Sequence, residues 1–474
     1  MRLTITLFIF YAFFISQKNY TQDLKIDKPN FIIYIADDHN YQDYEINGNN
    51  DVQTSAVKKL AAEGITFKNA YTSQAICAPS RSQLYTGLYP MKNGVMANHL
   101  PTKNVADIND FLAEIGYEVV LAGKGHVKPK SVYNWTKFIP IKSEQNFISD
   151  DNQKNDFIER IDNYLKNNNK PFCLIVASHL PHGPYANVDN YNKNKSNKNF
   201  KYTKRFSKAG YYQNIDDDNS QINKVLDLVK KNNLKNSTVF IYISDHGLDG
   251  KWTVYESGLK IPLVIRWPGK IKSGTFSNEM ISIVDILPTL IDLGGGNSEK
   301  LDLDGYSFAN SIDGQNSFKR TKIFGIATRQ NIFKSYVFPS RSIRENNFKY
   351  IKNYNSREVV KNNLGPNENV NKFILRGAMA FPEIPYEELY DLSVDPDEKN
   401  NLADNKKYFS LKKDLEKKLN NWMINQNDFL INHKMPLIKP SREAVTLDYK
   451  TSRNNIPDEL VGILKESDYL KFHY

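Results

Sequence analysis

The segment Phe31-Ile-Ile-Tyr-Ile-Ala-Asp-Asp38 decides the fold, because six hydrophobic residues in a row are followed at once by two aspartates. A short run of β-branched and aromatic residues is typical of a strand that is buried on both faces of a parallel sheet. Similar short hydrophobic runs recur further along the chain. They predict strands over residues 117–122, 172–177, 239–244 and 261–265.

Amphipathic segments lie between these runs. Apolar residues at helical spacing predict helices over residues 55–63, 108–115 and 220–231, and Gly64 and Gly116 end the first two. Because strands and helices alternate, the sequence indicates an α/β fold in which a parallel sheet is covered by helices.

The texture of the sequence changes after about residue 335. Residues 342–351 and 389–392 are predicted strands of an antiparallel layer, and a long helix presents one apolar face made of Leu411, Leu415, Leu419 and Trp422. We therefore predict a catalytic α/β domain over residues 23–335 and a small C-terminal α+β subdomain with an antiparallel sheet over residues 336–474.

The N-terminus carries the one long apolar run of the sequence. Residues 3–15, behind Arg2, form a run of 13 residues, whereas a membrane-spanning helix needs roughly 20. The run is typical of a secretory signal peptide, predicted over residues 1–22. We expect an exported protein, periplasmic or secreted, that is not an integral membrane protein.

The net charge narrows the classes of binding partner. Lysine and arginine number 63 against 53 aspartates and glutamates, a formal net charge of +10, which either attracts anionic partners or reflects solvated Lys/Asn-rich loops. Export argues against nucleic acid as a partner.

The two cysteines lie in different surroundings. Cys173 lies in an apolar run and Cys77 in a polar turn, so we expect two different roles rather than a disulfide.

Polar side chains follow four of the predicted strands, at the sheet edge where ligands bind in open α/β folds. Adjacent aspartates such as Asp37 and Asp38 raise each other's pKa unless a cation neutralises them, although a helix cap or a solvated turn also accommodates one of them. Asp245 and His246 at a second strand end favour a metal, with Ca²⁺ ahead of Mg²⁺ or Mn²⁺; the histidine also leaves room for a transition metal. The full set at the strand ends is Asp37, Asp38, Lys124, His126, His179, His182, Asp245 and His246.

A second motif places a thiol near a helix N-terminus. The turn Cys77-Ala-Pro-Ser-Arg81 precedes a helical run to about Thr86, with Gly87 able to end it. A cysteine in that position has free N–H groups and the helix dipole beside it, which attract anions and depress the thiol pKa. The motif, followed by Thr86-Gly-Leu-Tyr-Pro90, resembles the hallmark of the type I sulfatases.

The resemblance to the sulfatases extends over nearly the whole chain and implies an alkaline-phosphatase-like α/β fold, with a mixed, mainly parallel sheet flanked by helices. One departure is Ser257, where the family usually has the first glycine of its Y-E-G-G element. The matching elements, in order, are Ala36-Asp-Asp38, Gly123-Lys-Gly-His126, Pro181-His-Gly-Pro184, Ser244-Asp-His-Gly247, Lys251-Trp-Thr-Val-Tyr-Glu256, Glu388-Leu-Tyr-Asp-Leu392, Asp395-Pro396 and Asn401-Leu402.

The resemblance also implies a chemistry. A maturation enzyme would oxidise Cys77 to formylglycine (3-oxoalanine), whose hydrate attacks the sulfur of a sulfate ester and then expels sulfate. Arg81 and Lys124 would direct positive charge at the sulfuryl group, His182 assisted by Lys251 would protonate the leaving oxygen, and His126 would deprotonate the formylglycine hydroxyl. The ligands of one Ca²⁺ would be Asp37, Asp38, Asp245, His246 and residue 77.

The substrate class is less closely defined by these motifs. The chain is most similar to the heparan N-sulfatase (sulfamidase) branch, which also resembles bacterial polysaccharide sulfatases, but sulfamidase carries arginine at the Lys251 position and asparagine at the His246 position. We predict an esterase for carbohydrate O-sulfates, for example of ulvan-type algal glycans, with His99 as a candidate substrate contact. Three alternatives stay open: a sulfamidase on N-sulfoglucosamine, a phosphatase or phosphonate hydrolase, and a non-catalytic polyanion-binding protein.

Overall fold

A computed structural model describes residues 28–98, 100–141, 150–192, 200–312, 318, 320–327, 340–354, 385–432, 434–436 and 469–471. The predicted signal peptide and His99 lie outside these residues. Among the described helices, none combines the length and apolar character needed to cross a membrane. Cys77 and Cys173 are both buried and both free.

The larger sheet has eight strands in the order β10-β2-β9-β8-β1-β5-β3-β4. Its centre is parallel: β1 pairs with β5 and β8, and β5 pairs with β3. The sheet strands are β1 (Asn30–Asp37), β2 (Ile65–Tyr71), β3 (Glu118–Gly123), β4 (Lys137–Ile139), β5 (Phe172–Pro181), β8 (Thr238–Ser244), β9 (Lys260–Arg266) and β10 (Thr275–Ser282). A short hairpin, β6 (Tyr185–Ala186) with β7 (Tyr202–Thr203), lies outside this sheet.

The mixed sheet confirms the fold class and corrects one detail of it. The segment 261–265, predicted as one strand of a parallel pattern, lies in β9, which runs antiparallel to both β2 and β8. A continuous apolar run reports burial on both faces, which is most common in parallel sheets but also occurs for an antiparallel strand inside a mixed sheet.

Helices cover both faces of the sheet, which explains the unbroken apolar run in β1. Phe31, Ile33 and Ile35 belong to the core on one face, and Ile32 and Tyr34 to the core on the other. The helices are α1 (Ser55–Glu63), α2 (Cys77–Thr86), α3 (Pro90–Asn93), α4 (Ile108–Glu114), α5 (Asp151–Asn167), α6 (Lys208–Lys231), α7 (Glu256–Leu259), α8 (Ile286–Leu293) and α9 (Phe409–Asn425).

Helix α6 is twice as long as the helix predicted over 220–231. It begins at Lys208, where the side chain of Ser207 accepts a hydrogen bond from the amide of Gly210. Its first half buries Tyr211 and Ile215. The polar run from Asp216 to Asn219 hides this amphipathic pattern in the sequence, although Asp218 and Asn219 are themselves buried.

The C-terminal part forms a separate four-stranded antiparallel sheet, as predicted. Its strands, in order, are β11 (Lys322–Ala327), β12 (Ser340–Glu345), β13 (Phe348–Asn353) and β14 (Glu387–Asp391). Strand β11 precedes residue 336, so this sheet takes its first strand from before the predicted boundary. Helix α9 packs on it through Leu415, Leu419 and Trp422. A last pair of strands is β15 (Lys434–Pro436) with β16 (Tyr469–Lys471).

Candidate active site

The carboxyl ends of β1, β3 and β8 bring the predicted polar residues together. Asp37 ends β1, Asp245 follows β8, and Lys124 follows β3 and contacts the carboxylate of Asp37. Gly123 makes this approach possible, because it has φ 98° and a Cβ there would lie 2.1 Å from the carbonyl oxygen of Ala177. The adjacent amide of Lys124 donates to that same oxygen at 2.8 Å. The backbone therefore fixes the position from which Lys124 reaches Asp37.

Cys77 lies at the centre of the cluster, buried at the first position of α2. Its Sγ is 3.4 Å from Nε2 of His246, 3.7 Å from Nζ of Lys251 and 3.9 Å from Oδ1 of Asp38. Burial would raise the pKa of the thiol, but the positive charges of Lys124 and Lys251 lower it to about 6. The predicted helix N-terminus and the depressed pKa are both present.

Arg81 spans two of the aspartates from the first turns of the same helix. Its Nε and Nη2 donate to Oδ2 of Asp245 at 3.2 and 3.1 Å, and Nη2 also donates to Oδ1 of Asp37 at 3.4 Å. All three side chains are fully buried. Burial would raise the pKa of Asp37, but Lys124, His182 and Arg81 hold it well below the usual range. The guanidinium thus fixes the relative positions of two carboxylates.

Lys251 binds the other strand-end aspartate. Its Nζ donates to both oxygens of Asp38, at 2.8 and 2.9 Å. Burial would raise the pKa of Asp38, but Lys251, His182 and His246 lower it. Asp38 has φ 61°, a left-handed conformation that turns its carboxylate back toward Cys77.

His182 lies at the open side of the cluster. Its Nε2 is 3.7 Å from Oδ2 of Asp38, and 41% of its side chain is exposed. The other ring nitrogen, Nδ1, lies 2.7 Å from the carbonyl oxygen of Gly183. Because a carbonyl only accepts, Nδ1 carries a proton and donates it, which leaves Nε2 facing the site.

His246 faces the cluster in the same way. Its Nδ1 donates to the carbonyl of Gly247 at 3.1 Å, and its Nε2 lies 3.2 Å from Oδ1 of Asp38. Burial would lower its pKa, but Asp245 and Asp38 raise it to about 9. A backbone hydrogen bond at Nδ1 is the arrangement that presents Nε2 to a metal ion.

The donor set fits a hard divalent cation. Asp38, Cys77 and His246 each offer a ligand atom within 4.8 Å of the others, and so do Asp37, Cys77 and Asp245. Burial raises the pKa of Asp245 to about 7, with His246 lowering it and Asp37 raising it. A carboxyl in these surroundings gains from a further positive charge, and oxygen-rich sites of this kind suit Ca²⁺ or Mg²⁺.

The other histidines near the cluster divide into two groups. His126 lies two residues beyond Lys124, partly buried, with φ 49°; its role toward residue 77 stays a prediction. His39 and His179, which lack motif support, are buried, and burial lowers the pKa of His39 to about 3. His39 stacks on Tyr44 at 3.9 Å and therefore packs in the protein interior.

Three residues that the sequence did not single out hold the site in place. The hydroxyl of Ser80 donates to the carbonyl of Asp245 at 2.6 Å, which ties α2 to the end of β8. The hydroxyl of Tyr211 donates to the carbonyl of Asp38 and accepts from the amide of Asn40. Asn214 donates to the carbonyls of Pro181, His182 and Pro184. Ser80 lies inside the cysteine motif, whereas nothing in the sequence marks Tyr211 or Asn214.

The departure at Ser257 falls beside a tight backbone contact. A Cβ at Gly258 would lie 2.2 Å from the carbonyl oxygen of Gly250 and 2.9 Å from the Cβ of Ala75, so this position requires glycine. The carbonyl of Ser257 approaches Gly247 closely, but the serine side chain is not part of that contact. Serine is therefore compatible with the turn that carries Lys251.

Comparisons with known proteins agree with this geometry. A family model described as Sulfatase matches residues 29–296, and one described as N-sulphoglucosamine sulphohydrolase, C-terminal, matches residues 244–374. The chain is 45% identical over 457 residues to an ulvan-active sulfatase of Formosa agariphila, with 94% of this chain and 90% of that protein covered. It is 24% identical over 467 residues to the N-sulphoglucosamine sulphohydrolase of Homo sapiens, with 84% and 90% covered.

Solved structures give the same fold. A protein in complex with its substrate D-glucosamine-2-N,6-O-disulfate matches with a TM-score of 0.68 and 20% identity, covering 85% of this chain and 99% of that one. The phosphonate monoester hydrolase of Agrobacterium radiobacter matches with a TM-score of 0.65 and 19% identity, covering 86% and 98%. At these identities the likeness concerns the fold alone.

Proposed function

The chain belongs to the sulfatase family and is a sulfuric ester hydrolase, and from this premise we propose that it is an exported enzyme that removes sulfate from sulfated poly- or oligosaccharides. The proposal includes formylglycine at position 77 and one bound divalent cation, Ca²⁺. Export rests on the apolar run of residues 3–15.

One observation carries the mechanism: the Cys77 sulfur lies where a helix N-terminus, two lysines and three carboxylates converge. Three cationic side chains face three carboxylates in this cluster, so their charges cancel: Arg81, Lys124 and Lys251 against Asp37, Asp38 and Asp245. A divalent cation therefore makes the cluster net positive, which favours a sulfate group over a neutral ligand.

Two groups would complete the chemistry. Position 77 would carry the formylglycine, which as its hydrate would supply one oxygen for attack on sulfur and a second whose deprotonation would release sulfate. Asp37, Asp38, Asp245 and His246 would hold the cation, which would supply positive charge beside the attacking oxygen and the sulfuryl oxygens.

The protein's own residues orient the ester and move the protons. Lys124 and Lys251 hold fixed positive charge beside residue 77, and Arg81 keeps Asp37 and Asp245 in position. His182 would donate a proton to the bridging oxygen from Nε2, which faces the site on its exposed side; because Nδ1 already donates to Gly183, this requires the doubly protonated imidazolium. His126 would take the proton of the nucleophile.

The relatives support a carbohydrate substrate. The relative that is 45% identical is an ulvan-active sulfatase, so we propose an ulvan-type sulfated glycan as the substrate of this chain. A specific observation favours N-sulfoglucosamine as a second candidate: the C-terminal region of the N-sulphoglucosamine sulphohydrolase family matches residues 244–374.

Mass spectrometry of the peptide that contains residue 77, from protein made in a host with a formylglycine-generating enzyme, tests the nucleophile. We expect the aldehyde; a persistent thiol would refute the mechanism. Release of sulfate, measured by ion chromatography from ulvan oligosaccharides and from N-sulfoglucosamine, separates the two substrates. Faster turnover of a phosphonate ester than of either sulfate would instead favour the phosphonate hydrolase alternative, and tight binding without turnover the polyanion-binding one.

A further inference from the structure

We propose that Phe206, together with Lys204 and Arg205, forms a glycan-binding subsite beside His182 that binds a sugar ring and an anionic group of the polymer next to the sulfate ester. This inference rests on the proposed function. It adds a site that lies outside the residues matched by the sulfatase motifs, and it predicts a preference for polyanionic chains over single sulfated sugars.

Phe206 is connected to the active site through one aromatic ring. The hydroxyl of Tyr211 donates to the carbonyl of Asp38 at 3.3 Å, and the Tyr211 ring lies 6.2 Å from that of Phe206. Phe206 also packs edge-on against Tyr185 at 5.2 Å, three residues after His182. The Phe206 ring therefore lies at the rim of the cluster, on the side where His182 is exposed.

The segment that carries Phe206 is anchored at both ends. Strand β7 pairs with β6, with Tyr185 opposite Thr203, and Ser207 caps α6. Helix α6 also fixes the His182 loop, because Asn214 donates to the carbonyl of His182 at 3.2 Å. The loop of the candidate acid and the segment that carries Phe206 are thus both anchored on α6.

Phe206 and its neighbours are available to a ligand. Phe206 is 51% exposed, and the two charged residues that precede it, Lys204 and Arg205, are exposed as well. Among the described residues no ion pair involves Lys204 or Arg205, whereas Lys208 lies over the ring of Tyr212. An exposed aromatic ring that follows two such cations in the chain suits a partner with both an apolar face and negative charge.

A sulfated or carboxylated sugar has that chemistry. The C–H face of a pyranose ring packs on an aromatic ring, and Arg205 pairs with a sulfate or carboxylate through two parallel hydrogen bonds. In this proposal, a glycan whose sulfate ester faces His182 extends past Tyr185 to Phe206. The positive charge of the segment also steers a polyanion toward the active site, an effect that salt weakens.

The test compares two variants with two matched controls. Phe206→Ala and Lys204→Ala/Arg205→Ala remove the ring and the cations. Phe276→Ala removes another exposed phenylalanine, 61% exposed, which has Lys68 over its ring on the far edge strand β10. Lys270→Ala/Lys272→Ala removes two exposed lysines in the turn that leads to β10.

We expect each subsite variant to lower kcat/KM on ulvan oligosaccharides by about tenfold, mainly through KM, and to lower it less on a sulfated monosaccharide. The lysine–arginine variant should also weaken the salt dependence of kcat/KM. The two controls should match the wild type. Affinity electrophoresis with the inactive Cys77→Ala protein should show weaker retardation by ulvan in both subsite variants, and little retardation of any variant by desulfated ulvan.

Equal activity and equal retardation for the subsite variants and the controls would overturn the subsite while leaving the sulfatase function intact. A wild type that releases no sulfate from any sulfated sugar would overturn the proposed function; retardation in the ulvan gel would then still decide whether the subsite binds the polymer. Equal losses in the Phe276 control would show that the effect is not specific to this surface.

Discussion

Two arginine–aspartate pairs in this molecule are both fully buried, yet they do different work. Arg341 and Asp428 join as a fork, Nε to Oδ2 at 2.6 Å and Nη2 to Oδ1 at 3.1 Å, and backbone carbonyls accept from the remaining Nη1. In Arg81, by contrast, Nε and Nη2 both donate to the same oxygen of Asp245, and Nη2 also donates to Asp37. The first pair is closed on itself, whereas the second leaves carboxylate oxygens that face a common centre.

The difference teaches how a functional charge cluster is recognised. Burial and an ion pair do not suffice, because the Arg341 pair has both. What distinguishes the site is that several carboxylates converge on one another and on Cys77, which is costly unless a further cation binds there. The comparison therefore predicts that variants of the converging cluster lose activity, whereas variants of the Arg341–Asp428 pair lose stability.

The largest effect is expected for Cys77→Ala, which removes the residue that would become the nucleophile. We expect sulfate release to fall by about 10⁴-fold or more, with thermal unfolding within a few degrees of the wild type. Cys173→Ala is the matched control, since burial alone raises the pKa of that thiol and it has no role in the reaction. Residual activity near the wild-type level in Cys77→Ala would break the assignment.

Asp245→Asn is expected to come next. The amide keeps the shape but loses the charge that would hold the proposed cation, so we predict a loss of activity of at least about 10²-fold and a lower Ca²⁺ content than the wild type by elemental analysis. Chelation of the wild type should give the same loss, reversed by adding Ca²⁺. Full activity after complete removal of divalent metal would contradict the assigned ligand set.

Asp428→Ala should affect stability and leave the reaction alone. It strands the Arg341 guanidinium without its counter-ion in the interior, which costs about 3–5 kcal/mol in the free energy of unfolding. Denaturation in guanidinium chloride measures that loss, and kcat per folded molecule should stay unchanged. The double variant Arg341→Met/Asp428→Leu should recover part of the stability, which distinguishes a stranded charge from a packing defect.

The smallest effect is expected for Ser257→Gly, which restores the glycine usual in the family. Because Gly258 and not Ser257 makes the close approach to Gly250, we expect a change in stability within about 0.5–1 kcal/mol and unchanged kcat/KM. A large gain in either would show that the serine side chain strains the turn that carries Lys251.

The sequence predicted the converging cluster better than the closed pair. Asp37, Lys124 and Asp245 each follow a strand, and the carboxyl ends of parallel strands meet at one edge, so their meeting could be expected before any coordinates. Arg341 and Asp428 are separated by 87 residues and lie on a strand and in a turn after a helix. No local pattern relates two such positions, and only the tertiary packing of α9 on the small sheet brings them together.

The elements that the sequence missed share one physical cause. Tyr211 and Asn214 belong to the half of α6 in which polar residues such as Asn214 and Asp218 are buried through hydrogen bonds. Patterns of hydrophobicity detect burial by apolar contact only, so they do not reveal this half of the helix. A related limit explains why the direction predicted for β9 was wrong, since a continuous apolar run reports burial on both faces and not the direction of the strand.

The burial of Cys77 has a consequence for the order of events in the life of the protein. Only 1% of this residue is exposed, and Arg81 and Ser80 lock its helix onto the end of β8. A modifying enzyme needs its active site against the sulfur and therefore cannot act on the native fold. If residue 77 becomes formylglycine, the conversion must happen on a nascent or still extended chain. In a molecule that folds before the conversion, Cys77 keeps its thiol.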